Sequence, residues 1–227
     1  MDNKEEGLYP VIAIDGPSAS GKGTLARRLA EHFGFAWLDT GLLYRAVGLA
    51  VLRAGKDPSD AAAAQAAAEA LDPVAVTKGV DREALRSDEA SMAASKVAAI
   101  PAVRAALLKF QRDFCLTPPE GKKGAVLDGR DIGTVVAPDA TVKLFITAGA
   151  ETRAARRFKE LQERGQDATY AAVLADMQAR DARDAERALA PTKPARDAVI
   201  VDTTSLDADQ AFEACVGIAS KALATGA

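Results

Sequence analysis

The chain has 227 residues, is 48% hydrophobic and 27% charged, and carries a formal net charge of −3. These values are ordinary for a folded chain with room for one large α/β domain, or one domain with an insert, and they exclude a global basic field of the kind that gathers nucleic acid. Two distant cysteines, Cys115 and Cys215, match neither a disulfide framework nor a metal motif, and no apolar run approaches membrane-spanning length.

The opening MDNKEEGLYP is acidic and lacks an apolar core, so it reads as neither signal nor transit peptide, and a cytoplasmic enzyme is expected. VIAID (11–15) is a short apolar run ending at Gly-Pro, the pattern of a buried strand. From Thr24 to Phe33 the apolar spacing is helical, and Gly34 stops it. FAWLD (35–39) predicts a second strand. LLYRAVGLAVLRAG predicts a second helix ending at Gly55, and Pro58 and Ser59 open an alanine-rich helix to about Leu71. Residues 72–90 are polar, with at most one weak hairpin about Lys78 and Gly79. Helical spacing returns from Ser91, and Pro101 begins another helix through Phe114. GAVLDG and VKLFITA read as buried strands, 151–188 as a long helical region broken near Gly165, AVIVD (198–202) as a fifth strand, and the rest as a final helix. Strands alternating with helices predict a parallel sheet covered on both faces.

The glycine-rich loop between the first strand and helix carries chemistry. Gly16, Pro17, Ser18, Ala19, Ser20, Gly21, Lys22, Gly23 and Thr24 follow a phosphate-loop pattern with one displacement, because Gly23 stands where Ser or Thr usually follows the lysine. Phosphates must be met by several backbone N–H groups at once, so the loop must curl tightly, which Gly16 and Gly21 permit. The helix start adds free N–H groups and partial positive charge. Lys22 supplies a full charge for the β and γ phosphates, and the Thr24 hydroxyl can reach a magnesium ion. A nucleoside triphosphate, with magnesium at its phosphates, is therefore the expected ligand.

A switch GTPase would read guanine with Asn-Lys-x-Asp late in the chain; the only asparagine is Asn3, so that class is excluded. A small-molecule kinase remains. If the acceptor is itself a phosphate, no base is needed, but several cations must hold two repelling anions together. Arg45 and Arg130 fall just beyond predicted strand ends, where ligands sit in open parallel sheets. Arg153, Arg156 and Arg157 cluster later. Arg180, Arg183 and Arg187 share one helical face, with Asp184 four residues beyond Arg180. Arginines mixed with acids along a helix ordinarily form a solvated face, so Arg45 and Arg130 are the stronger candidates.

The stretches IDGPSASGKGT, LDTGLLYR, ASKVAAIPAVRAALLKFQRDF, LDGRDIGTVVAPDA, RDARDAERALAP and VIVDTTSL, in this order, resemble the bacterial cytidylate kinases, phosphate-loop kinases of nucleoside monophosphates. The resemblance implies a three-layer α/β fold with a five-stranded parallel sheet, a monophosphate-binding insert and a short lid. It implies a core at 10–57 and 113–227, a shortened insert at 58–112, and a lid with its arms within 153–187. The implied reaction moves the γ-phosphoryl group of ATP to CMP or dCMP, in a monomer without nucleic-acid or membrane partners. Lys22, Arg153 and Arg157 would be catalytic, with Arg153, Arg156 and Arg157 on the lid. Ser95, Arg104 and Asp131 would read cytosine. Arg45, Arg130 and Arg187 would hold the acceptor phosphate, Arg180 and Asp184 the sugar hydroxyls, and Asp39, Thr40 and Tyr44 would line the monophosphate side. Family members often have Ser at the place of Thr40. The longer members carry a small three-stranded sheet in the insert, and the shortness of 72–90 puts that sheet in doubt here. From the residues alone, a kinase for another small acid or nucleoside and a non-catalytic nucleotide-binding regulator stay open.

Overall fold

In the computed structural model, which describes residues 9–225, the apolar runs form one sheet of five strands: β1 (Val11–Asp15), β2 (Ala36–Asp39), β3 (Ala125–Gly129), β4 (Val142–Thr147) and β5 (Val199–Asp202). Their order is β2-β3-β1-β4-β5, and every pairing is parallel. The acidic opening read from the sequence lies largely outside the described residues. β1 and β3 are buried along their whole length, as strands covered on both faces must be. After β1 the chain builds β2 and β3 on one side and β4 and β5 on the other. The crevice that such a reversal leaves opens beyond the carboxyl end of β1.

The helices are α1 (Lys22–Phe33), α2 (Thr40–Arg53), α3 (Ala61–Glu69), α4 (Pro73–Thr77), α5 (Asp88–Val97), α6 (Pro101–Leu116), α7 (Ala150–Glu163), α8 (Tyr170–Glu186) and α9 (Ala208–Thr225). α1 and α9 cover one face of the sheet through Leu25, Leu29, Ala211 and Cys215, packed on Ile12, Ile14, Leu144 and Ile146. The opposite face, with Ala13, Leu38 and Leu127, meets Cys115 and Phe114 of α6. Each large apolar side chain so buried contributes about 1.5–3 kcal/mol. A separate core joins Leu43, Val47 and Val51 of α2 to Val97, Val103 and Leu107 of α5 and α6. A small fourth cluster of Ala154, Leu161, Val173 and Met177 holds α7 against α8.

The middle segment departs from expectation. No hairpin forms about Lys78 and Gly79, and among the described residues 58–112 contains no strand. VAV belongs instead to α4. Asp72 accepts from the N–H groups of Val74 and Ala75 at 3.0 and 3.1 Å, Pro73 opens the helix, and Gly79 leaves it at φ 97°. An N-cap followed by Pro is a helix start, and it outweighs a three-residue alternation. α3 likewise begins at Asp60, whose carboxylate caps Ala62 and Ala63, rather than at Pro58.

α5 lies unusually close to α2. A β-carbon added at Gly48 would stand 2.7 Å from the Ala93 methyl and 2.9 Å from the Ala93 carbonyl carbon. Only glycine allows this approach.

Candidate active site

β1 ends at Gly16, which turns the chain beneath β4. A β-carbon there would meet the Ile146 carbonyl oxygen at 2.0 Å, and φ is +150°. The loop then climbs to Gly21, left-handed at φ 88°, and enters α1 at Lys22. Ser18, Ala19, Gly21, Lys22, Gly23 and Thr24 line a cleft of about 670 Å³; Pro17 and Ser20 lie behind it. The Lys22 ammonium donates to the Pro17 carbonyl at 3.1 Å. Burial lowers its pKa to about 7, helped by Arg130 and opposed by Asp128.

The cleft floor sets Asp128, which the sequence did not single out, beside the expected Asp39. Asp39 and Asp128 are register partners at the ends of adjacent strands. Each has its own partner: Asp39 accepts from Arg45 at 2.7 Å, and Asp128 accepts from the Trp37 indole N–H at 2.9 Å. Burial, then the neighbouring Asp39 charge, raises the Asp128 pKa to about 7. Thr40 donates to the Asp128 carbonyl at 2.8 Å. Asp15 sits one strand over and accepts from the N–H groups of Ile132 and Gly133 at 2.7 and 2.8 Å, capping the turn that carries Arg130 and Asp131. The alternation of β1 and β3 places acids at these ends, but nothing in the sequence names their donors.

Burial raises the Asp15 pKa from 3.8 to about 6, the two N–H bonds notwithstanding. The folded chain therefore binds a proton that the unfolded chain releases between these values, and this group costs stability as pH rises from about 4 to 6. Asp15→Asn removes that slope. The unfolding free energy of the variant, read from urea curves, should rise relative to the parent's as pH rises through this window, by about 3 kcal/mol at most. Parallel curves would contradict the assignment.

The cleft wall built by α2, α5, α6 and α8 gathers Arg45, Arg104, Arg180 and Arg187, with Arg130 beside them. Arg104 and Asp131 form a buried ion pair through Asp131 Oδ2, and the Arg104 guanidinium lies 5.6 Å from the Tyr44 ring centre. Burial pushes the Tyr44 hydroxyl pKa up. Asp184 accepts from Ser95 at 3.1 Å and from Arg130 Nε at 3.3 Å. Burial alone would raise its pKa, but Arg130, Arg180 and Arg187 outweigh it and hold the carboxyl below its usual range. Arg130 also donates to Ser18 Oγ at 3.1 Å, tying this wall to the phosphate loop. Arg180 donates to Ser91 at 2.8 Å, and burial with nearby Arg130 lowers its pKa to about 10. Several guanidinium N–H groups among the described residues here are buried without a hydrogen-bond partner: Arg45 Nε, Arg180 Nε (4.0 Å from Asp184 Oδ2), and Arg187 Nε and Nη2.

The three arginines expected on the lid separate. Arg156 and Arg157 line the cleft; Arg153 does not. Arg153 is 7% exposed, lies in the first turn of α7, and donates to the carbonyls of Ala148 and Ser18 and to Asp181. It braces the phosphate loop from below, because the first turn of α7 starts immediately at the end of β4. Arg156 donates to the Thr203 carbonyl at 2.7 Å. Arg157 pairs with Glu160 of its own helix and with Asp88 at the start of α5. With Arg164 donating to the Arg86 carbonyl at 3.2 Å, the α7–α8 pair reaches across to the α5 arm.

A family profile described as cytidylate kinase matches residues 12–221. A cytidylate kinase of Paramagnetospirillum magneticum is 64% identical over 213 residues, covering 93% of this chain and 98% of that protein. One from Rhodospirillum rubrum is 60% identical over 208 residues, covering 92% and 96%. Among solved structures, an uncharacterized protein from Eubacterium ventriosum shares the fold at a TM-score of 0.51 with 16% identity, over 92% of this chain and 96% of that one. Phosphate loop, arginine-lined cleft and family profile fall on the same residues, and the chain belongs to the cytidylate kinase family.

Proposed function

We propose that this cleft transfers the γ-phosphoryl group of ATP to CMP or dCMP, with the loop Gly16–Thr24 on the donor side and the α2, α5 and α8 side chains around the acceptor. The observation that carries the reading is the convergence of unpartnered guanidinium N–H groups of Arg45, Arg180 and Arg187 beside Arg130. Buried donors without acceptors are costly, and a phosphate group satisfies several at once. The chain is acidic overall, yet cations outnumber carboxylates along this cleft.

A nucleoside monophosphate is largely dianionic near neutral pH, so its oxygen attacks the γ phosphorus without a general base. The bond from the γ phosphorus to the bridging oxygen breaks, and ADP and CDP or dCDP result. The protein's task is alignment and charge compensation. Lys22 faces the donor phosphates, Arg130 and Arg187 the acceptor phosphate, and Arg156 and Arg157 stand where the lid meets the transferring group. Arg153, first expected to act there, is assigned to supporting the loop. Asp131 Oδ1, left over from the Arg104 pair, accepts the exocyclic amine of cytosine; Ser95, Arg180 and Asp184 serve base and sugar. The segment 58–112 is the acceptor arm, and 153–187 contains the lid.

The Thr24 hydroxyl, exposed at the loop mouth, fits a magnesium ion that takes its remaining oxygens from phosphates and water. When bound, magnesium neutralises charge on the β and γ phosphates. Among the described residues no single helix is long and apolar enough to cross a membrane, and both cysteines are buried and unpaired, which fits a reducing compartment. Coupled ADP release across CMP, dCMP, UMP, AMP, GMP and shikimate tests the reading. Turnover of CMP and dCMP well above the others is expected. Nucleotide binding without turnover of any would favour a regulator instead.

Arg187→Met isolates the acceptor side. Burial lowers the Arg187 pKa, which marks the charge as a cost to the free protein. The variant should raise KM for CMP at least tenfold, since a charge-assisted bond contributes about 1.5–3 kcal/mol. It should leave KM for ATP within about twofold and thermal stability equal or higher. A rise in KM for ATP instead would move Arg187 to the donor side.

A further inference from the structure

We infer that Trp37 is a positioning residue for phosphoryl transfer: its indole N–H fixes the Asp128 carboxylate so that the other oxygen faces the phosphate loop beside Lys22. The inference takes the phosphoryl-transfer reading as given.

Trp37 is the sole tryptophan of the chain. It pairs in register with Val126 on β3, and Asp39 pairs with Asp128. Strand side chains alternate, so Trp37 and Asp39 share a face, as do Val126 and Asp128. Trp37 and Asp128 are thus diagonal neighbours on one side of the sheet, a separation that a large aromatic side chain can span. The indole body packs against the core built on β1 and α1, and its edge reaches Asp128 Oδ2 at 2.9 Å. Asp128 is 4% exposed and lines the cleft. Its remaining oxygen, Oδ1, is directed at the start of α1: a β-carbon added at Gly23 would lie 3.8 Å from it, with nothing nearer.

The two acids at the strand ends need different partners to keep apart. Asp39 has Arg45 at 2.7 Å. Asp128 is within the field of the same Arg45 and of Lys22, and it is repelled by Asp39. Without the indole N–H, Oδ2 has no donor on its own side. The carboxylate is then free to turn toward Arg45, drawing that guanidinium from Asp39 and taking Oδ1 away from the start of α1. Phenylalanine would keep the packing and lose only this restraint.

The test compares parent, Trp37→Phe, Asp128→Asn and the double variant in single-turnover and steady-state kinetics with ATP, magnesium and CMP. Trp37→Phe should lower kcat about tenfold, the value of one hydrogen bond to a charged group, with KM for CMP within about twofold and the variant still folded at the assay temperature. In the Asp128→Asn background it should add less than about twofold, since the two act through one atom. Parental kcat in Trp37→Phe, or losses that multiply in the double variant, would overturn the inference. Whether the parent turns over CMP is a separate outcome that bears on the reaction itself. If Trp37→Phe fails to fold, indole fluorescence decides. The emission of the sole tryptophan should shift in folded Asp128→Asn, and the quench on adding ATP with magnesium should differ from the parent's. Emission and quench identical to the parent's would show that the indole does not depend on this carboxylate.

Discussion

Lys22→Met is expected to lower kcat about a thousandfold while leaving the melting temperature equal to or above that of the parent. The loss of rate follows from removing a full cation from the donor phosphates in a water-poor cleft, where one such contact contributes about two to three powers of ten. The gain or neutrality in stability follows from burial. The Lys22 pKa falls from 10.5 to about 7 in the folded chain, so at neutral pH the fold holds a proton less readily than the unfolded chain does. That penalty is fully present below the folded value and fades as pH rises toward the unfolded one. Methionine fills similar volume without it. Calorimetry alongside the coupled assay checks both halves. A variant that loses activity and melting temperature together would mean that Lys22 is a structural residue whose loss merely unfolds the loop.

Asp131→Asn is expected to reduce the preference for CMP over UMP at least tenfold and to lower the melting temperature as well. Asp131 Oδ2 is committed to Arg104, so the substitution breaks a buried ion pair, a change that costs about 3–5 kcal/mol when one partner is left behind. Oδ1 is the atom assigned to cytosine. A carboxylate accepts from an amine and repels a carbonyl, whereas the asparagine amide can turn to suit either. Discrimination should therefore collapse through a rise in kcat/KM for UMP as well as a fall for CMP. Competition between the two substrates, measured below the variant's melting temperature, separates recognition from stability. Parental rejection of UMP would remove Asp131 from base reading and leave it a packing partner of Arg104.

Much of this was legible in the residues. Short apolar runs marked the five strands, most plainly β1 and β3, which are buried on both faces, although the edge strand β5 leaves Val199 and Ile200 exposed. Gly16 to Thr24 marked the tight turn from β1 into α1, because the backbone at Gly16 and Gly21 admits only glycine readily. Arg45 and Arg130 could be placed because ligands gather at strand ends, and Arg187 because it shares a face with Arg180. What was hidden is pairing between distant segments. No local pattern announces that Trp37 serves Asp128, 91 residues away, or that Asp15 caps the turn after Asp131. Arg153 shows the limit sharply. It lies three and four residues before Arg156 and Arg157, on the same face of α7, yet it sits one turn nearer β4 and so reaches under the loop while they line the cleft. At 72–90, polar composition suggested loop and hairpin, and the Asp-Pro start of α4 was the local signal that decided otherwise.

The contact at Gly48 bears on how the enzyme opens. α2 follows β2 without a spacer, and α5 is pressed onto α2 backbone to methyl. Arg45 and Ser95 therefore travel as one piece with the central sheet. The α7–α8 pair holds the opposite wall through polar contacts instead, Arg157 to Asp88 and Arg164 to the Arg86 carbonyl at the surface and Asp184 to Ser95 and Arg180 to Ser91 deeper in, so that any opening there has to break these. An alanine at position 48 would wedge the two helices apart and shift the phosphate seat relative to the cytosine seat, so that a ligand satisfying one would strain against the other.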